Sequence, residues 1–320
     1  MRKKPELKPL LAERMKQLLP DEKDFDSWLE ILKQQTLNSI RCNTLKISPN
    51  ELLARLKAKE WEINQPFKNY PEIMVIENDL APGELGRSLE HLLGYYYVQE
   101  IASMLSAIAL NPKPHERILD LCAAPGSKTT QIAASMKNTG LLVANDISIG
   151  RIRILATNLE RCGVSNVIAT RKQGFDLCRK FSEKEILFDK ILLDAPCSGE
   201  GTLRNSLATY EMWSINSVKN LSKIQKSLLA SAINILKVGG ELVYSTCTHS
   251  PEENEEVIDF ILKKFSNLEI EHISLPLRCR TGLTKWNGEE YSKELKKACR
   301  IYPQDSNTEG FFIAKIRRVR

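Results

Sequence analysis

The chain has no C-x-x-C pair, and its eight cysteines follow no regular spacing. That argues against a disulfide framework or a zinc site, so no metal is expected and the thiols read as reduced, in a cytosolic-type compartment. No apolar run approaches the roughly 20 residues of a membrane span. Near the amino terminus, Leu10-Leu11 is soon followed by Glu13, Arg14 and Lys16, too charged and too short for a signal peptide. A cytoplasmic protein without a membrane partner is expected. The glycine motifs of nucleotide binding are also missing. There is no G-x-G-x-x-G, and Gly126-Ser127-Lys128 lacks the adjacent Gly-Lys pair and the earlier glycine of a Walker loop. No internal repeat or low-complexity block interrupts the chain.

What is present is ordinary in bulk. At 320 residues, 42% hydrophobic and 27% charged, the chain can bury one large core plus a smaller appendage. A net charge of +6 and a pI near 8.8 suit an anionic partner without identifying one. Basic residues gather at both ends: Arg2, Lys3 and Lys4, then Lys315, Arg317, Arg318 and Arg320. Solvated tails and phosphate contacts explain them equally well. Leu7, Leu11, Met15 and Leu18 or Leu19 fall on one face of a helix. A strand-like run at 40–47, a helix at 51–59 entered through Pro49, and a strand at 73–76 make a small α+β module. Residues 1–85 are expected to form it, with Ala81-Pro82-Gly83 as linker. A helix is expected at 97–110. Strands at 117–121, 141–144, 167–170, 190–193 and 241–245 then alternate with helices at 128–136, 150–162, 217–236 and 252–264, with 311–316 as a last strand candidate. This alternation predicts an α/β fold with a doubly wound, Rossmann-like parallel sheet over residues 86–320.

Two loops carry the chemistry. Leu119 to Thr130 reads as strand, tight small-residue loop and helix start, where backbone can approach a ligand and free N–H groups point at it. The second strand ends at Asn145-Asp146, about where an acid holds ribose hydroxyls in a Rossmann-like site. Loop plus acid implies a nucleoside-type cofactor. Without phosphate-binding glycines, cationic S-adenosylmethionine fits better than NAD. An ordinary turn with a helix-capping Asp is the plainer alternative.

Cys197 and Cys247 each close a strand-like run, 190–199 and 239–248, at the carboxyl ends of strands, outside which ligands bind in an open α/β sheet. A single buried cysteine is usually just a small hydrophobe. Two at matched strand ends, one beside Asp194, point to covalent chemistry on a base. A thiolate added to C6 of a pyrimidine makes C5 enamine-like and able to attack a sulfonium methyl. Asp194 could stabilise the charge at ring N3 if desolvation let it keep its proton. The second thiol could assist release. The residues alone do not say which thiol does which. Cys42, Cys162, Cys178, Cys279 and Cys299 have no such context and read as structural.

Asp120-Leu-Cys-Ala-Ala-Pro-Gly-Ser-Lys128, Asp194-Ala-Pro-Cys-Ser-Gly199 and Ser245-Thr-Cys-Thr248, followed by Pro251-Glu-Glu-Asn-Glu255, resemble the motifs of the NOL1/NOP2/Sun family of RNA (cytosine-5) methyltransferases. The likeness extends to Arg41-Cys-Asn-Thr-Leu-Lys46, Tyr97-Val-Gln-Glu100 with Ser103, and Thr308 to Lys315. It implies a class I methyltransferase domain and an RRM/ferredoxin-like, RNA-contacting amino-terminal module. It implies Cys247 as nucleophile, Cys197 in product release, Asp194 at the cytosine edge and Lys128 as its partner. S-adenosylmethionine would lie along Cys122, Ala123, Ala124, Pro125, Gly126, Ser127 and Lys128, with Asp146 on the ribose and Arg151, Gln173 and Asp194 completing the set. The family usually has Asp-Gly-Arg after the third strand, where this chain has Gln173-Gly174-Phe175. Either the Gln173 amide keeps the adenine contact or Asp176 serves. The expected partner is RNA, rRNA first and tRNA second, bound by a monomer. A non-catalytic RNA-binding or assembly factor is the competing reading. An adenine N6 methyltransferase is disfavoured, because Cys197 stands where that class carries an aromatic residue.

Overall fold

The computed structural model describes residues 6–320, so the basic cluster Arg2, Lys3 and Lys4 lies outside the described residues. The chain divides into two compact units. The first comprises Leu37–Asp194 with Ser231–Val243. The second comprises the chain up to Thr36 with Ala195–Ala230 and Tyr244–Arg320.

The first unit opens with a small antiparallel sheet of β1 (Asn38–Cys42), β2 (Ile63–Asn64), β3 (Ile73–Ile76) and β4 (Tyr96–Val98), in the order β2-β3-β1-β4. Helix Pro49–Lys57 starts where Ser48 accepts a hydrogen bond from the Glu51 N–H, with proline in the first turn. Ile40, Leu52, Leu56, Trp61, Met74, Ile76 and Tyr96 bury themselves between helix and sheet. The helix expected from Tyr97 is corrected here. Tyr97 lies in β4 opposite Arg41, and the helix runs Ile101–Leu110, capped by the Glu100 side chain. The aromatic run Tyr95-Tyr96-Tyr97 favours a pleated strand over a helix. The small sheet therefore extends to Val98, beyond residue 85.

The same unit holds β5 (Arg117–Asp120), β6 (Leu141–Asp146), β7 (Val167–Arg171) and β8 (Phe188–Asp194), mutually parallel, with helices Ser127–Ser135, Ile149–Cys162 and Gly174–Glu183 between them. The early residues of β9 (Leu236–Thr246) join them, giving the order β9-β8-β5-β6-β7. Strand β9 starts five residues before its expected start, because Gly239-Gly240 hides the apolar, β-prone Leu236 and Val238. Ile118, Leu119, Leu142, Val143, Ile191, Leu192 and Leu193 form a buried apolar layer, as parallel strands require.

The second unit contains helices Pro9–Leu18 and Glu22–Lys33 and the last residues of β9. It also contains β10 (Leu268–Glu271), β11 (Arg280–Thr281), β12 (Lys285–Trp286), β13 (Glu289–Glu290), β14 (Cys299–Ile301) and β15 (Phe311–Arg318). The order is β11-β14-β15-β9, with β10 antiparallel to β15 and β12 paired with β13. The parallel sheet expected from the alternation takes in β5–β8 and β9, where the Phe188 N–H donates to the Ile235 carbonyl and the Ala195 N–H to the Ser245 carbonyl; the expectation fails beyond it, since β14 and β15 are antiparallel. Nine residues join them, too few for a parallel crossover. Among the described residues no helix is long and apolar enough to cross a membrane, and no cluster of His, Cys, Asp and Glu could hold a metal ion.

Candidate active site

In the first unit the small-residue loop follows β5. Gly126 precedes the helix Ser127–Ser135 with φ +106°, a conformation that side chains disfavour, and a Cβ there would meet Leu155 Cδ1 at 2.9 Å. Ala123 and Ala124 pack on Leu155 and Leu159. No side chain caps the helix, so its first N–H groups stay available. Asp120, 1% exposed, accepts from the Thr129 hydroxyl at 2.7 Å, while its second oxygen has no partner. Burial pushes its pKa up to about 7.

Buried Arg41 fastens this loop from the small sheet. It donates to the Ser127 carbonyl at 2.7 Å, Thr130 Oγ1 at 2.8 Å and Gln99 Oε1 at 2.5 Å. Desolvation lowers its pKa to about 10. The sequence flagged the runs containing Arg41 and Gln99 but gave neither a task.

Asp146 ends β6. Its Oδ1 accepts from the Ser148 N–H at 3.0 Å, and Arg151 Nη1 lies 3.4 Å from Oδ2. Arg151 also donates to the Ala124 carbonyl, so acid and small-residue loop share one cation. Exposed Pro125 accepts from Asn158 at 2.9 Å. Gln173 is exposed just before the helix Gly174–Glu183 and makes no capping bond, whereas Asp176 pairs with Arg179 at 3.1 Å. Uncapped helix N–H groups, small residues and a strand-end carboxylate fit a nucleoside cofactor. Lys128, only 8% exposed, donates to Ser103 Oγ at 2.7 Å and Asp194 Oδ2 at 2.8 Å. A buried ammonium needs such partners.

In the second unit the sulfurs of Cys197 and Cys247 lie 3.3 Å apart, though 50 residues separate them in sequence. The loops that carry them are tied into a network of polar side chains to which the sequence reading gave no role. Glu253 is fully buried and takes hydrogen bonds from the Ser198 N–H at 3.0 Å, the Ser198 hydroxyl and Gln225 Nε2 at 2.8 Å. Burial raises its pKa to about 7. Glu200 accepts from Trp213 Nε1 at 2.6 Å, Ser250 Oγ at 2.5 Å and the His249 N–H at 3.1 Å. Arg300 and Glu255 form a buried pair, and Arg300 also donates to the His249 carbonyl at 3.0 Å. Gly201 and Gly310 pack so closely that a Cβ on Gly201 would lie 2.1 Å from the Gly310 carbonyl. The Thr308-Glu-Gly310 run offered a clue to this contact; Glu200 and Arg300 offered none.

The description "16S rRNA methyltransferase RsmB/F" matches residues 107–317, and "N-terminal domain of 16S rRNA methyltransferase RsmF" matches 7–101. The chain belongs to the RsmB/F family. Among RsmB/F relatives, the tRNA (cytosine(49)-C(5))-methyltransferase of Pyrococcus abyssi is 43% identical over 97% of this chain and 96% of its own length. Ribosomal RNA small subunit methyltransferase F of Vibrio cholerae is 38% identical over 97% of this chain, which spans 63% of that relative. A methyltransferase homolog protein from Pyrococcus horikoshii superposes with a TM-score of 0.81 at 35% identity, covering 98% of this chain and all of that one. NSun6 from Pyrococcus horikoshii, solved with the S-adenosylmethionine analogue SFG, superposes with a TM-score of 0.81 at 27% identity, covering 98% of each chain. The NOL1/NOP2/Sun resemblance, the class I methyltransferase fold and enzyme status as an RNA cytosine-C5 methyltransferase stand on these matches.

Proposed function

We propose that the chain transfers a methyl group from S-adenosylmethionine to C5 of a cytosine in structured RNA through a covalent adduct. The Cys197–Cys247 pair carries this reading: two thiols 3.3 Å apart, at the ends of separate strand-to-loop runs, suit a reaction in which one sulfur bonds to a base and another helps it leave. Cys247 Sγ, as thiolate, bonds to ring C6. Asp194 faces the N3 edge of the cytosine, and the Lys128 ammonium orients its carboxylate. The bound cofactor would supply an electrophilic sulfonium methyl to the enamine-like C5. Loss of the C5 proton to water then restores the C5–C6 double bond, and the C6–S pair returns to Cys247 sulfur, which leaves as thiolate with Cys197 assisting its release.

The cofactor would be held by Cys122 to Lys128, with Asp146 on the ribose, Arg151 bracing that acid, Asp194 at the reacting end and Gln173 at the adenine edge. A base inside a helix would first have to be extruded. The sequence alone put rRNA before tRNA. The higher identity to the tRNA enzyme supports the reverse order, so a tRNA cytosine is the first substrate and small-subunit rRNA the second.

The test uses methyl-tritiated donor with tRNA and, separately, small-subunit rRNA, followed by nucleoside analysis of the labelled RNA. Label in 5-methylcytidine supports the proposal. RNA binding without label transfer would favour a non-catalytic factor instead, and label in N6-methyladenosine would overturn the thiol mechanism.

A further inference from the structure

Four residues flank the two cysteines, and all four are tied down. Before Cys197, the Pro196 carbonyl accepts from Gln225 Nε2 at 2.8 Å. After it, Ser198 gives both its N–H and its hydroxyl to Glu253. Before Cys247, the Thr246 hydroxyl donates to Asn254 Oδ1 at 2.5 Å, and after it the Thr248 carbonyl accepts from Asn254 Nδ2 at 3.0 Å. The loops also meet directly, Ser198 Oγ to Thr248 Oγ1 at 2.9 Å. Glu253 and Asn254 are consecutive and both fully buried. The Tyr244 hydroxyl anchors the Glu253 carbonyl at 2.6 Å.

We propose that Glu253-Asn254 is a positioning clamp for the thiol pair, with Glu253 setting the loop of Cys197 and Asn254 the loop of Cys247, so that one dipeptide fixes the sulfur-to-sulfur distance. Neither residue touches the reacting atoms in this account. The clamp deepens the covalent reading above and rests on it for its purpose, though not for its geometry.

The hydrogen bonds say what each substitution should do. Glu253 receives three donors from Ser198 and Gln225. In Glu253→Gln the amide oxygen can keep the two N–H donors, while the amide nitrogen donates to Ser198 Oγ, whose hydroxyl turns to Thr248. The clamp survives with one bond reversed. In Glu253→Ala all three donors lose their acceptor, and Ser198 keeps only its bond to Thr248.

The test reads the sulfur distance without RNA. A diazenedicarboxamide oxidant accepts two hydrogens, becomes the hydrazine, and leaves Cys197 and Cys247 joined as a disulfide. Its rate is followed by alkylation and peptide mass mapping on the full chain. We expect Glu253→Ala to slow disulfide formation tenfold or more, Glu253→Gln to stay within threefold of wild type, and Ser198→Ala to fall between. Ser198→Ala loses a single hydroxyl and guards against a Glu253→Ala chain that does not fold. A folded Glu253→Ala, or failing that Ser198→Ala, that oxidised at the wild-type rate would overturn the clamp. On tRNA, Glu253→Ala should lower kcat at least tenfold with KM unchanged, and Glu253→Gln should restore most of it. An unchanged kcat overturns the clamp. Glu253-dependent oxidation in a wild-type chain that methylates neither tRNA nor rRNA keeps the clamp and removes the methyltransferase reading.

Discussion

The two units assemble their polar groups by different means. In the first, the small-residue loop, Asp146 and Asp194 stand at the carboxyl ends of parallel strands, each placed by a local strand-to-loop run. In the second, the loop of Cys197 is held by side chains remote in sequence, Gln225 and Glu253, and that of Cys247 by Asn254, a few residues further along. Position in the first unit follows from topology. In the second it follows from a buried polar network that works only when every donor and acceptor is matched. Substitutions at the strand ends of the first should therefore act one group at a time, Arg41 being the brace that spans several, and substitutions in the second should propagate to both thiols.

The largest expected effect is in the second unit. Cys247→Ser should lower methyl transfer roughly 10³-fold or more, measured as single-turnover label incorporation. Wild-type turnover in that variant would remove the nucleophile assignment. Cys197→Ser should let a covalent protein–RNA species accumulate, seen as a band resistant to denaturing electrophoresis.

Arg41→Ala makes the corresponding challenge to the first unit. It strips hydrogen bonds from Gln99, Ser127 and Thr130 and should cost about 2–4 kcal/mol of stability by denaturant titration. A loss below about 0.5 kcal/mol would mean that the loop is held by packing alone.

Acid sensitivity separates the units further. Asp120, in the first, is raised from 3.8 to about 7 by burial, so its contribution is present at low pH and lost as pH rises through that window. His249, in the second, is lowered from 6.5 to about 3 by burial and by Arg300, so its contribution is present above 6.5 and lost as pH falls. Relative to wild type, Asp120→Asn should become less costly between pH 4 and 7. His249→Gln should become less costly as pH drops from 6.5. Each slope is at most about 1.4 kcal/mol per pH unit. Unfolding titrations of both variants at three pH values give the two signs, and equal signs would break the distinction.

The smallest effect belongs to Gln173→Ala. Exposed and uncapped, it should leave stability within about 0.5 kcal/mol and weaken cofactor binding by about fivefold, one hydrogen bond's worth. Calorimetry with a cofactor analogue would read it, and an unchanged affinity would point to Asp176.

The same contrast explains what was legible in the sequence. Parallel strands buried on both faces leave apolar runs such as Ile191-Leu192-Leu193, and the loops after them stand out as small, polar tips. Helix Glu22–Lys33 was missed because few of its residues face the core, chiefly Trp28 and Leu32. The antiparallel β14 and β15 were not foreseen as a pair, because β14 is three residues long and carries buried Arg300 in its middle. Pro251 to Glu255 was recognised as a motif, but nothing in its composition tells that Glu253 and Asn254 turn inward. Partners up to 55 residues away decide that, and spacing along the chain carries no trace of them.

The central claim is that Cys247 sulfur bonds to a cytosine in RNA. Peptide mapping of the species trapped by Cys197→Ser with tRNA or small-subunit rRNA tests it directly. The account predicts one ribonuclease-trimmed nucleotide fragment on the Cys247 peptide, linked through C6 of its cytosine. A fragment on any other residue, or methyl transfer with no protein-bound RNA at any time point, would contradict it.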